Sequence, residues 1–405
     1  MKIILPHRKL GKLGPDVSAL GLGCMGMSDL YGPADRVESI ATIHAALEAG
    51  ITLFDTGDFY GMGHNELLLS EALKGARREN AYIQVKFGAL RDPAGNWIGF
   101  DARPQSVKTS LAYTLKRLET DYVDLYQPAR LDPNVPIEET VGAISELVKA
   151  GYVRHIGLSE VGAATIRRAH SVHPIVGLQI EYSLMSRSIE TEILQTTREL
   201  GIGITAYGVL SRGLLAGRGN EKLHEKDFRA HSPRWQGENL HRNMALVATL
   251  NEIAQSKGVT TAQLAIAWVL SRGSDIIPLI GVRNRTRLKE SLASLDLSLS
   301  PGELDQIERA VPADQVDAAE SGDLQALAPV ELLLGDRLQV AEGLGGAGTV
   351  RPRIVAHRLD LRVDPAEVLL ALHDLQRLLG VDPVVHRDRL VGRARPAGPF
   401  DPRPA

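Results

Sequence analysis

Residues 51–61 read ITLFDTGDFYG and residues 81–88 read AYIQVKFG. In each, an apolar run too short for a helix ends near a charged residue, Asp55 or Lys86, and a glycine turn follows. Runs of this length bounded by turn residues are the pattern of a strand buried on both faces. Six more lie at 19–23, 122–126, 155–159, 177–181, 202–207 and 275–280. The segments between them carry helical periodicity, as at 37–49, where Ile40, Ile43, His44 and Leu47 share a face. Similar patterns occur at 106–119, 137–150, 164–170, 189–200 and 246–257. Strands alternating with helices predict a parallel sheet of the α/β class. Eight such units over roughly 300 residues predict a closed (β/α)8 barrel rather than an open sheet. A Gly14-Pro15 turn between 8–11 and 16–20 predicts an opening hairpin. Two long connections, 87–104 and 208–242, follow strands and therefore belong to the C-terminal mouth, where barrels build their sites. The stretch 242–272 supplies two helices, with Thr260 or Thr261 as the N-cap between them.

The chain has 405 residues, 44% hydrophobic and 23% charged, with a net charge of −3. That excludes wholesale disorder and a general basic field for nucleic acid or anionic membrane. The single cysteine, Cys24, allows no intrachain disulfide and fits a reducing, cytoplasmic setting. The apolar run at residues 3–5 is too short for a secretory segment and is broken by Pro6. No stretch approaches the ~20 apolar residues of a membrane span, so a soluble protein is expected. The oligomeric state is not readable. After about residue 312 the texture changes: residues 313–405 contain no Lys, Tyr, Trp, Met, Asn or Cys. Here 343–348 reads as linker, and Asp364-Pro365-Ala366-Glu367 opens a helix that Gly380 stops. Two readings of this extension stand, an appended small domain or sequence never selected to fold. The expected organisation is a barrel over 1–312 and an extension over 313–405.

Gly21-Leu22-Gly23-Cys24-Met25-Gly26 matches G-x-G-x-x-G. A dinucleotide-binding turn should run directly into a helix, with an acid about 20 residues on. Here residues 28–33 intervene and the acid, Asp55, comes late, so a glycine-rich loop at a barrel mouth is the better reading. Asp55, Tyr60 and Lys86 are more informative. Taken singly, a strand-end Lys is commonly surface, a Tyr after a strand packing, and a strand-end Asp a cap. Neighbouring strand ends of a barrel, however, bring all three together. A tyrosine with pKa about 10 is a poor acid near neutrality. An adjacent ammonium lowers that value and a carboxylate holds the ammonium in place, which gives a tuned general acid. No His/Cys/Asp/Glu spacing points to a metal. His64 caps or packs, and Trp97 either lines a substrate pocket or anchors its loop.

At these residues the chain resembles the aldo-keto reductase superfamily, in particular its longer-chain bacterial branch, over residues 8–312. The resemblance extends through GYVRHIGLSE (151–160), LQIEYS (178–183), TAYGVLSRGLL (205–215) and IPLIGVR (277–283). It implies a TIM-type barrel that binds NADPH across its mouth and reduces an aldehyde or ketone. Tyr60 would then donate the proton, supported by Lys86 and Asp55. Ser159 and Gln179 would hold the nicotinamide carboxamide, and Tyr207 would stack on the ring. Arg212 and Leu214 would meet the pyrophosphate, and Gly281, Arg283, Arg287 and Glu290 the adenosine end. Gly23, Met25 and Asp55 would also border the cofactor. The Arg283/Arg285/Arg287 cluster independently suits phosphate oxygens, which favours NADP over NAD.

The departures from the family pattern are informative. The slot that the family fills with histidine, five residues after Asp124, holds Ala129. Removing one such donor typically costs about 10²–10³ in rate. Gln127, Arg130 or a water could stand in, or the substrate could bring its own polarisation. A different class of answer is an NADPH-binding regulatory or subunit protein with little catalysis. Because Asp55, Tyr60 and Lys86 remain, a working reductase is the expectation. Its substrate pocket is assigned to Trp97, Ala129 and Arg130, and substrate choice to the loops around Trp97 and 229–237.

Overall fold

The computed structural model describes residues 5–28, 30–219, 221–224 and 227–316, together with two strands further on. The chain divides into two compact units, Met1–Leu327 and Ala328–Ala405. In the first, β1 (His7–Lys9) and β2 (Asp16–Ser18) pair antiparallel, as the Gly14-Pro15 turn predicts. Then follow β3 (Gly21–Gly23), α1 (Arg36–Ala49), β4 (Leu53–Gly57), α2 (His64–Ala72) and β5 (Tyr82–Phe87). After a small hairpin of β6 (Ala89–Arg91) and β7 (Trp97–Phe100) come α3 (Pro104–Leu118), β8 (Val123–Pro128) and α4 (Ile137–Lys149). Next are β9 (Val153–Ser159), α5 (Ala163–Val172), β10 (Ile175–Glu181), α6 (Ile193–Leu200) and β11 (Gly203–Tyr207). The last turns of the barrel are α7 (Gly237–Ser256), α8 (Thr261–Ser271), β12 (Ile276–Ile280), α9 (Arg285–Leu292) and α10 (Pro301–Ala310).

Strands β3, β4, β5, β8, β9, β10, β11 and β12 close into a parallel barrel, with β12 returning to β3 through Leu279↔Gly21 and Ile280↔Leu22. All eight expected strands are present, and the fold is the expected (β/α)8 barrel. The opening hairpin plugs its N-terminal end. Leu10 and Val17 join Leu53, Tyr82, Leu125, Val176, Ile277 and Leu279 in a core inside the barrel. Gly203 permits this plug, because a Cβ there would stand 2.4 Å from the Gly11 nitrogen. Arg8 donates to the carbonyls of Leu270, Gly273 and Ile276 at 2.5–2.8 Å, so the C-terminal end of α8 is satisfied from the other end of the barrel sequence. Higher in the barrel Gly157 has no room for a Cβ, which would meet Leu125 at 2.5 Å and Gln127 Oε1 at 2.6 Å. The helices pack outside on a larger core, where Phe87 and Tyr126 stack with centroids 4.3 Å apart.

Several elements differ from expectation. Helix α2 was not expected. It starts at Gly63 with φ 93° and no side-chain cap, and it buries Asn65, Glu66 and Ser70 beside Leu68 and Leu69, so it carries neither a start signal nor a clean stripe. The connection 87–104 is the β6–β7 hairpin, turned at Gly95 with φ 87°. Helix α7 starts at Gly237, earlier than the periodicity indicates. Thr260 caps α8 in a reciprocal capping box with Gln263. In the second unit β13 (Leu338–Leu344) pairs antiparallel with β14 (Val350–Ala356). Gly343 and Leu344, assigned to a linker, are therefore strand residues. The helix expected from Asp364 lies outside the described residues. Among the described residues no helix is long and apolar enough to cross a membrane.

Candidate active site

The parallel register fixes what meets at the mouth. Asp55 on β4 is level with Gln84 on β5, and Gly57 with Lys86. Because strand side chains alternate, Gln84 and Lys86 both point to the face that Asp55 occupies. Lys86 Nζ donates to Asp55 Oδ1 at 2.5 Å, and the same oxygen accepts Gln179 Nε2 at 2.8 Å and Gln84 Nε2 at 3.2 Å. Both members of the ion pair are almost wholly buried. Tyr60 follows in the turn after β4, buried, with Lys86 Nζ 5.1 Å from its ring centre.

Burial pushes the Tyr60 phenol well above its ordinary value and Asp55 pushes it further, while Arg130 and Arg212 act against them. The expectation that Lys86 lowers the phenol is corrected here. Asp55 matches the ammonium at 2.5 Å, and the opposing cations are the two arginines. Burial draws Lys86 itself downward, against the pull of Asp55, with Arg130 adding to the decrease.

One cavity at the C-terminal mouth brings together nearly every residue expected at the site. It is lined by Gly23, Met25, Asp55, Tyr60, Lys86, Trp97, Ala129, Arg130, Ser159, Gln179, Tyr207, Arg212, Gly281, Arg283, Arg287 and Glu290. Leu214 is apart from it: its side chain is fully buried in the outer core. Gln127 does not line it either. Its amide donates to Gln179 Oε1 at 3.1 Å inside the barrel, so it does not stand in for the histidine. Trp97 does two things, lining the cavity and packing edge-on against Phe59 at 5.6 Å.

Tyr31 and Phe228 were not expected in the lining, whereas Arg229 opens the 229–237 loop expected to govern substrate choice. Tyr31 and Phe228 meet edge to face at 5.1 Å, and Tyr31 bridges Asp227 so that two loops join across the mouth. Arg229 forks onto Asp227 at 2.6 and 2.9 Å and lies over the Tyr31 and Trp235 rings. Behind it Glu181 receives Arg212 and Arg234, each at 2.9 Å, and these cations hold its carboxyl below the usual range despite burial. Ser211 and Arg212 take positive φ, 48° and 57°, as strained residues at functional loops do. The available signal was aromatics set in loops, Tyr31 in one and Phe228 and Trp235 in the other.

The polar groups left over bear on what the cavity holds. Ser159 Oγ and the Tyr207 hydroxyl are buried without a hydrogen-bond partner. Among the described residues, Arg283 donates only to the carbonyls of Tyr31 and Pro33, both at 3.1 Å. A buried hydroxyl with no partner and a cation with no carboxylate are what a polar, anionic ligand satisfies.

The aldo/keto reductase family model matches residues 19–312. The chain belongs to this family. A soybean (Glycine max) protein described as probable aldo-keto reductase 1 is 43% identical over 311 residues, 76% of this chain and 89% of the relative. Among solved structures, the glycerol dehydrogenase AKR11B4 from Gluconobacter oxydans superposes with a TM-score of 0.68 at 27% identity, covering 76% of this chain and 96% of that one. The holo form of aldo-keto reductase AKR11C1 from Bacillus halodurans gives 0.64 at 27% identity, covering 76% and 97%. The reductase is thus an oxidoreductase of carbonyl compounds, of a family that works with NAD(P)H.

Proposed function

We propose that this reductase uses NADPH to reduce an aldehyde or ketone to an alcohol, with Tyr60 as the proton donor. The observation that carries the reading is the buried Lys86–Asp55 pair beneath Tyr60, in one cavity with the unpartnered Ser159 hydroxyl. Ser159 and Gln179 would hold the carboxamide, the Tyr207 ring would face the nicotinamide, and Arg283 would take a phosphate. When bound, the reduced nicotinamide supplies a hydride to the carbonyl carbon.

The chain's own part is the proton. Negative charge develops on the carbonyl oxygen, and Tyr60 transfers its hydroxyl proton there. The phenolate so formed lies beside the Lys86 ammonium, which Asp55 keeps oriented. Phe59, Trp97 and Phe100 give this cavity an aromatic wall. The chain is read as acting in the cytoplasm.

Ala129 supports the second reading, a cofactor-binding protein without turnover, because a methyl group stands on the wall where a polarising donor is expected. One assay separates them: NADPH oxidation against a panel of aldehydes and ketones, wild type beside Tyr60→Phe. Turnover lost in the variant supports the proposal. Tight NADPH binding with no turnover supports the second reading, and turnover unchanged in the variant refutes Tyr60 as donor.

A further inference from the structure

The cavity is lined by six arginines and one lysine, and most have a carboxylate. Lys86 has Asp55, Arg212 has Glu181, Arg229 has Asp227, Arg287 has Glu290 and Arg218 has Glu221. Two cations have none within ion-pair distance among the described residues. Arg283 is one, at the edge of α9, and the proposed function gives it a cofactor phosphate. Arg130 is the other.

Arg130 directly follows Ala129 on the wall where the family histidine is missing. Its Nη1 donates to the Ala129 carbonyl at 2.6 Å, and among the described residues the rest of the guanidinium fork has no hydrogen-bond partner. It lines one cavity with Tyr60, Lys86 and Tyr207, and its charge reaches all three. The same cavity is also lined by the aromatic side chains of Phe59, Trp97 and Phe100. A half-buried guanidinium without a carboxylate favours an incoming planar anion, which it can grip through two parallel hydrogen bonds.

We propose that Arg130 sets substrate choice by binding a carboxylate next to the reducible carbonyl, so that the preferred substrates are 2-oxo acids with an apolar or aromatic tail. This rests on the reductase reading above. The carbonyl carbon gains hydride from NADPH, its oxygen gains the Tyr60 proton, and the products are a 2-hydroxy acid and NADP+. Gripping the carboxylate fixes the carbonyl beside Tyr60, and the electron-withdrawing carboxylate carbon makes that carbonyl a better hydride acceptor. Both effects offset the donor lost at Ala129.

The test compares phenylglyoxylate with its methyl ester. Wild type should favour the acid in kcat/KM by tenfold or more. Arg130→Met should cut that preference at least tenfold, mainly through KM, and Arg130→Lys should restore part of it. Calorimetry with benzoate, an unreactive probe, in the presence of NADP+ gives a readout free of turnover, and Arg130→Met should weaken it at least tenfold. A wild type that prefers the ester, or benzoate binding unchanged in Arg130→Met, overturns the proposal. No turnover of any carbonyl, with benzoate binding still dependent on Arg130, overturns the reductase reading and leaves the anion site standing.

Discussion

Asp58, two residues ahead of Tyr60, should make this protein less stable as pH rises from acid to neutral, and Asp58→Asn should remove the effect. Its Oδ1 is buried with no hydrogen-bond partner among the described residues. Burial, then the nearby Glu66 carboxyl, raises its pKa from 3.8 to about 7, and Arg117 only partly offsets them. Arg117 is committed to Glu66, with which it forms a close ion pair. The folded state therefore binds the proton more tightly than the unfolded chain. Below pH 3.8 both states are protonated and nothing is lost; between 3.8 and about 7 the unfolded chain ionises first, and stability falls. At about 1.4 kcal/mol per unit the full shift is worth about 4 kcal/mol. Part of the Asp58 side chain keeps contact with solvent, so an observed effect of about 2 kcal/mol is expected. Urea unfolding of wild type and Asp58→Asn, compared at pH 4 and pH 8, measures it. The two should agree at pH 4, and the variant should be the more stable at pH 8. A difference between the two proteins that does not change with pH would refute the argument.

Two further expectations concern the site. Lys86→Met leaves Asp55 buried without its cation, which should cost about 3 kcal/mol in urea unfolding. Turnover should drop on the order of 10²–10⁴-fold, and adding Asp55→Asn should return stability but not activity. Arg283→Gln should raise the KM for NADPH about tenfold or more, the loss of one charge-assisted contact, and leave that for NADH nearly unchanged; equal effects on both cofactors would remove Arg283 from the phosphate.

The barrel was legible because its strands are buried on both faces. Stretches such as residues 276–280, IIPLI, have no polar side to confuse the reading. The Asp55–Lys86 pair was legible for a related reason: a charge at the end of such a run has only the mouth to point into. What escaped depends on distance along the chain. Tyr31 meets Asp227 from far along the chain, and Glu181 at the end of β10 finds Arg212 and Arg234 in the loop after β11. No periodicity encodes such pairings. Helix α2 escaped because its exposed Leu67 and buried Glu66 invert the usual pattern, the glutamate being matched by Arg117 from α3. The direction of the Tyr60 shift escaped because residue types give neighbours but not their existing partners.

The seam between β12 and β3 has a consequence for how the chain is made. Strand β3 is synthesised among the first barrel elements, yet one of its two neighbours is the last, through Leu279↔Gly21 and Ile280↔Leu22. Until residues 276–280 leave the ribosome, β3 carries an open, apolar edge able to pair with another chain. The Arg8 donors likewise await carbonyls at Leu270, Gly273 and Ile276. Translation that stalls before this point leaves a sheet with two free edges, a species prone to aggregate. Completion of the ring is thus a late event in biosynthesis, governed by a handful of residues near position 280.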